Sequence, residues 1–228
     1  MKWNKIKVDN YSISLIDPLY LEIDNVTKLD IEVKEGISSK LVIIGNNNYD
    51  INIKLDNNSS LIVNSLNKNN SVNINVSLKE KANITYNHSV LAESDSINNF
   101  NINHLSNSSI SNINNNGINK EDNKLFFSIN GIIPKNLKDI VCNQTSKIIN
   151  FKNGNSKIIP NLIIDSNDII ANHSAYIGEI SEEELFYMKS RGINKEEIEK
   201  LIYKATLLSK MDLNKEKEEF NKRINEWW

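Results

Sequence analysis

From residue 11 to about residue 178 the apolar positions fall into short runs that alternate with polar ones. Ile51, Ile53 and Leu55 lie on one side of such a run, with Asn52, Lys54 and Asp56 on the other; Val72, Ile74, Val76 and Leu78 repeat the pattern. A period of two predicts half-buried β-strands. Lys40-Leu-Val-Ile-Ile, Ser60-Leu-Ile-Val and Ala82-Asn-Ile-Thr-Tyr read the same way. Between the runs sit Gly45-Asn-Asn-Asn, Asp56-Asn-Asn-Ser and Asn67-Lys-Asn-Asn. Asparagine tolerates the left-handed conformation and closes local side-chain turns, so it can stand where glycine usually does.

The strand starts recur evenly, at Leu41, Ile51, Leu61, Val72 and Ile84, with a pitch that drifts from ten to twelve positions. Even spacing of short strands is the mark of a sandwich, a barrel or a β-solenoid. No Asn-Gly or Asp-Gly pair suited to a two-residue turn precedes Asn116-Gly117, which speaks against a meander of tight hairpins. In a solenoid each coil buries its inner face against its neighbours, and stacked asparagines can form hydrogen-bond ladders.

The pattern changes after Gly178. Ser181-Glu-Glu-Glu184 is a capping box that opens a helix carrying Leu185, Phe186 and Met188, closed by Gly192. Asn194-Lys-Glu-Glu197 opens a second helix, with Ile198, Leu201, Ile202, Ala205 and Leu208 predicted on its apolar face. A last helix from about Asp212 aligns Leu213, Phe220, Ile224 and Trp227 and ends at Trp228. Charge gathers here, with 12 acidic and 10 basic residues from Glu179 onward. The expected organisation is a β-body over residues 1–178 and a helical region over 179–228.

Composition narrows the function. The 228 residues carry a formal charge of −2, which argues against a nucleic-acid binder. One cysteine excludes a disulfide framework and fits a reducing compartment. No apolar run approaches a membrane span and Met1-Lys-Trp-Asn opens no secretion signal, so a cytoplasmic location is expected. Some 40 asparagines and 36 isoleucines, regularly placed, suit a folded protein from an AT-rich genome better than a disordered Asn-rich tract. Phosphate loops, dinucleotide fingerprints, H-E-x-x-H, C-x-x-C and G-x-S-x-G are all missing. His88, His104 and His173, taken singly, read as satisfied surface or turn residues, and Cys142 as a small buried hydrophobe.

Specificity arrives at Pro160–Ile193, PNLIIDSNDIIANHSAYIGEISEEELFYMKSRGI. Pro160, Leu162, Ile164, Asp168, His173, Ala175, Gly178, Leu185, Phe186, Tyr187, Ser190, Arg191, Gly192 and Ile193 resemble, at fixed spacing, the C-terminal core of the SufB/SufD family of iron–sulfur cluster assembly proteins. The resemblance implies a mainly β fold: a right-handed parallel β-helix with two strands per coil, followed by a C-terminal α-helical segment. Two strand pitches then make one coil, about twenty-one positions long. The resemblance also implies a non-catalytic scaffold that pairs with a SufB-like paralogue through the β-helix and docks a SufC-like ATPase through the C-terminal helices. A nascent iron–sulfur cluster would be held transiently between the subunits.

Two departures qualify the resemblance. The sequence turns strand-like almost at once, as a minimal form without the N-terminal helical region of most members would. Ser146, in Asn143-Gln-Thr-Ser-Lys147, stands where SufB-like members tend to carry a cysteine, which leans the protein towards SufD. Cys142, four residues earlier and on the same face of a regular strand, could take that place only after a local shift. His173 corresponds to a histidine at the subunit interface, near a partner cysteine, and imidazole with thiolate suits iron. The metal-ligand candidates are thus His173 and Cys142. The competing functions are a SufB-like or single-paralogue homodimeric scaffold, a β-helix carbohydrate-active enzyme and a structural or adhesive solenoid.

Overall fold

A computed structural model describes residues 4–6, 10–23, 28–214 and 216–227. Trp228, the end of the expected final stripe, lies outside the described residues. Among the described residues fifteen strands form two fully parallel sheets, and the polypeptide alternates between them. The larger sheet stacks β1 (Asn4–Ile6), β3 (Leu19–Ile23), β5 (Ser38–Gly45), β7 (Ser60–Lys68), β9 (Asn83–Ala92), β11 (Ile110–Asn119), β13 (Lys138–Asn150) and β15 (Asp168–Glu179). The smaller stacks β2 (Asn10–Leu15), β4 (Lys28–Val33), β6 (Tyr49–Leu55), β8 (Val72–Leu78), β10 (Ser96–His104), β12 (Lys124–Ile133) and β14 (Asn155–Ile164). Two strands per coil, each paired with the strand two places away, make a parallel β-helix, as the resemblance implies.

Alternation does the folding work. Tyr49, Ile51, Ile53 and Leu55 of β6 face inward, as do Val72, Ile74, Val76 and Leu78 of β8, and all join one continuous core with Leu41, Ile43, Leu61, Val63, Ile84 and Tyr86. Burying each such aliphatic group stabilises the fold by about 1.5–3 kcal/mol. The coil is not of constant length. Asn52 stands 22 positions after Asp30, its neighbour in the coil before, whereas Asn143 stands 31 positions after Asn112. The expected pitch fits only the first coils, because the strands lengthen from 5 residues in β3 to 13 in β13. Asn116-Gly117 lies inside β11 and turns nothing. Several corners are turned by non-glycine residues with positive φ, among them Asn58 (55°), Asn69 (53°) and Asn136 (66°), and the one between β4 and β5 by Gly36 (71°).

The asparagine excess has a structural use. On the outer face of the smaller sheet the amide of Asn52 donates to Asp30 (2.7 Å), Asn75 to Asn52 (3.1 Å), Asn101 to Asn75 (3.0 Å), Asn130 to Asn101 (2.9 Å) and Asn161 to Asn130 (2.8 Å). Parallel strands about 4.8 Å apart set identical amides at the spacing such a ladder needs.

Three helices follow: α1 (Glu182–Ser190), α2 (Lys195–Leu208) and α3 (Lys217–Trp227). The expected capping box forms at Ser181/Glu184, α2 opens at Asn194 as expected and there forms a second box with Glu197, and Gly192 takes the left-handed conformation (φ 83°). The buried face of α2 differs from the one expected. Ile198, Tyr203, Thr206 and Leu207 are buried, while Leu201 is 51% exposed and Ala205 faces out. The helix is rotated by about one position because it must fit a ready-made apolar row. That row, Val42, Ile44, Leu66, Leu91, Ile118 and Ile149, lies on the outside of the larger sheet and forms a second core with Tyr203, Leu207, Phe220, Ile224 and Trp227.

The last helix therefore packs on the β-body. Its stripe of Phe220, Ile224 and Trp227 is covered by the sheet. It begins at Lys217, not near Asp212, because the residues before it are held by the sheet. The carbonyl of Asp212 accepts from Lys40 Nζ (2.7 Å) and Asn64 Nδ2 (2.8 Å), and Lys40 also pairs with the buried Glu216 (3.1 Å). Arg223 reaches Glu22 of β3 (3.0 Å), and Ser89 donates to the Leu207 carbonyl (2.6 Å), satisfying an end of α2.

Candidate site at the last coil

His88 and His104 are not surface or turn residues; both are fully buried inside the solenoid. His88 meets Ser65 through Nδ1 (3.0 Å) and Asn98 through Nε2 (3.1 Å). His104 meets Ser109 (2.7 Å) and Ser111 (2.9 Å). Burial lowers the imidazole of His88 to about 3 and that of His104 to about 4. Both rings are neutral polar struts near pH 7.

Cys142 is also fully buried, packed with Ile133 and Ile140 and flanked by Leu162, Ile169 and Ala171. Burial pushes its thiol up, against opposing hydrogen bonds with Ser111 and Gln144. It shares the inner row of β13 with Gln144 and Ser146, the one-face relation expected for Cys142 and Ser146. Gly131 on β12 makes the room: a Cβ there would stand 2.6 Å from the Cys142 sulfur.

Among the described residues nothing stacks on the outer side of the final coil. β15 pairs with β13 alone and β14 with β12 alone. Register sets Ala171 beside Cys142, His173 beside Gln144 and Ala175 beside Ser146. Directly paired residues of a parallel ladder share a face, so His173 continues the inner row of β13 at the open end of the solenoid. It is exposed, and so are Ile170 (61%), Tyr176 and Ile177 on the same strand. Register keeps His173 and Cys142 on adjacent strands, two residues out of step. Among the described residues no group of three or more His, Cys, Asp or Glu could hold a metal ion.

A second surface was hidden in a correctly placed motif. Leu185, Phe186 and Met188 lie on α1 as expected, yet α1 buries none of its residues, and Phe186 and Tyr187 are 75% and 60% exposed. Arg191 lies over the Tyr187 ring, 5.2 Å from its centroid, and donates to its hydroxyl (3.3 Å). Both helix ends are satisfied locally, so α1 is a formed helix presenting aromatic groups outward. The sequence signal was the very low amphipathicity of this segment, acidic in its first turn and aromatic in its middle.

Comparison with known proteins fits these features. The family described as SUF system FeS cluster assembly, SufBD core domain, matches residues 38–206, from the start of β5 into α2. A 43-residue stretch, 19% of the sequence, is 46% identical to the iron–sulfur cluster assembly protein SufD of Bacillus subtilis (strain 168), and it spans 10% of that protein's length.

Proposed function

Because this protein belongs to the SufBD core-domain family of SUF iron–sulfur cluster assembly proteins, we propose that it is the SufD-like scaffold subunit of such a system. In this reading it pairs with a SufB-like paralogue through the last coil and receives a SufC-like ATPase on its helices. The nascent cluster is its cargo. The observation that carries the reading is the final coil, uncapped among the described residues, whose unpaired strand edges bear exposed Ile170, Tyr176 and Ile177 on the same strand as the exposed His173. Open edges and apolar patches of this kind are normally covered by a partner.

His173 is the residue of this subunit that would meet the cargo. A single imidazole cannot hold a cluster, so thiolates would come from the partner subunit. Cys142 would contribute only after opening of the last coil, since its thiol is buried and protonated near neutral pH. Replacing His173 by Ala should lower the iron and sulfide content of the reconstituted complex, with subunit stoichiometry unchanged. Unchanged content would reduce His173 to an interface contact.

For the ATPase, the buried stripe of α3 leaves α1 as the better docking element. Phe186→Ser with Tyr187→Ser should weaken ATPase binding about tenfold or more, as loss of aromatic anchors does, and leave thermal unfolding unchanged. Equal affinity of the double variant would move the contact elsewhere on the helices.

A further inference from the structure

The sequence contains three Asn-Gly pairs, at Asn116, Asn130 and Asn153. This dipeptide is the most reactive setting for asparagine, because glycine leaves the following amide nitrogen free to approach the carboxamide carbon. Two of the three are locked. Asn116-Gly117 lies within β11, paired on both sides, and the Asn116 amide donates to Ser209 (3.2 Å). Asn130-Gly131 lies within β12, and the Asn130 amide group is a rung of the ladder, donating to Asn101 and accepting from Asn161.

Asn153-Gly154 lies in the turn between β13 and β14. Asn153 is exposed, and among the described residues its carboxamide has no hydrogen-bond partner. The Gly154 amide is engaged only in a three-residue turn, donating to the Lys152 carbonyl (2.7 Å). We infer that Asn153 is a site of spontaneous deamidation. The Gly154 nitrogen loses its proton to solvent base and bonds to Cγ of Asn153. The Cγ–Nδ2 bond breaks and ammonia leaves, giving a five-membered succinimide. Water adds across either ring carbonyl, opening the ring to aspartate or, through the other carbonyl, to isoaspartate.

The consequence is structural as well as electrostatic. Gly154 is seated against Asn119, so closely that a Cβ would lie 2.3 Å from its Nδ2. That same amide donates to the Asn123 carbonyl (2.9 Å) and Ser156 Oγ (3.0 Å), and Ser156 donates to Asn150 (2.6 Å). Isoaspartate inserts a methylene into the backbone at this clamp, and the new carboxylate lies next to Lys152, which pairs with Glu121. The affected turn leads directly into β14, half of the open final coil, so the modification marks aged molecules at the end of the solenoid that carries His173.

The test is incubation of the folded protein at mildly alkaline pH, followed by peptide mapping with isoaspartate detection. Asn153 should convert to a mixture of aspartate and isoaspartate, about tenfold or more faster than Asn116 or Asn130, whose reaction must wait for local opening of a strand. In denaturant all three should convert at comparable rates. Asn153→Ser should abolish the early product and leave the other two positions as they were. Persistence of the Asn153 amide in folded protein, while denatured protein converts there, would overturn the inference, as would equal conversion of all three pairs in the folded protein.

Discussion

Desolvation decides the chemistry of the buried histidines and of the lone cysteine. With the pKa of His88 at about 3 and that of His104 at about 4, against about 6.5 when unfolded, the unfolded state binds more protons throughout the window between those values. Stability should therefore be full above about pH 7 and fall as the pH drops, by up to roughly 2 kcal/mol per histidine at pH 5. Urea midpoints at pH 7, 6 and 5 would show the slope; a flat profile would mean that the rings are not held neutral in the fold. Gly131 offers a sharper residue-level test, since a Cβ meets the Cys142 sulfur at 2.6 Å and Gln144 Nε2 at 3.0 Å. Gly131→Ala should cost about 1–3 kcal/mol by overpacking, and Cys142→Ala should recover part of it. Strict additivity in that double-mutant cycle would contradict the contact. The burial of Cys142 was legible from its type and setting. The burial of His88 and His104 was not, because their partners Ser65, Asn98, Ser109 and Ser111 come from other strands or from across a corner.

Elements were legible where one period ran uninterrupted. The alternation in β6 and β8, the Ser181 capping box, the start of α2 at Asn194 and the Gly192 stop all stand as read. The apolar face of α2 was misplaced because periodicity cannot say which of two overlapping apolar faces meets a sheet. That choice was made by Val42, Ile44, Leu66, Leu91 and Ile118, which lie several coils earlier in the sequence. The same row holds the last helix. Phe220 and Ile224 are fully buried on it and Trp227 nearly so. Phe220→Ala should destabilise by about 3–5 kcal/mol. Truncation from Asp212 should bare the row and cause self-association visible by light scattering. A truncated protein that stays monomeric with unchanged stability would show that α3 is not part of the fold's core.

For the whole molecule, the solenoid explains both the composition and the proposed site. Outer amide ladders use the asparagines, the inner core uses the isoleucines, and the stack must end somewhere. At the C-terminal end it stops at β14 and β15, without a cap among the described residues, and the family match runs through that coil into the helices. The position of His173 was legible from its motif. Its exposure came from topology alone, since the sequence does not announce that no further coil follows β15. Among the described residues no helix is long and apolar enough to cross a membrane. The open end at β14 and β15 is the proposed pairing surface. The most direct measurement is multi-angle light scattering on the protein by itself and after co-expression with a SufB-like paralogue, with Ile170→Asp as the interface variant. A one-to-one complex is expected, which the variant disrupts without loss of β-structure by circular dichroism. A protein that remains the same well-behaved monomer with and without the paralogue would contradict it.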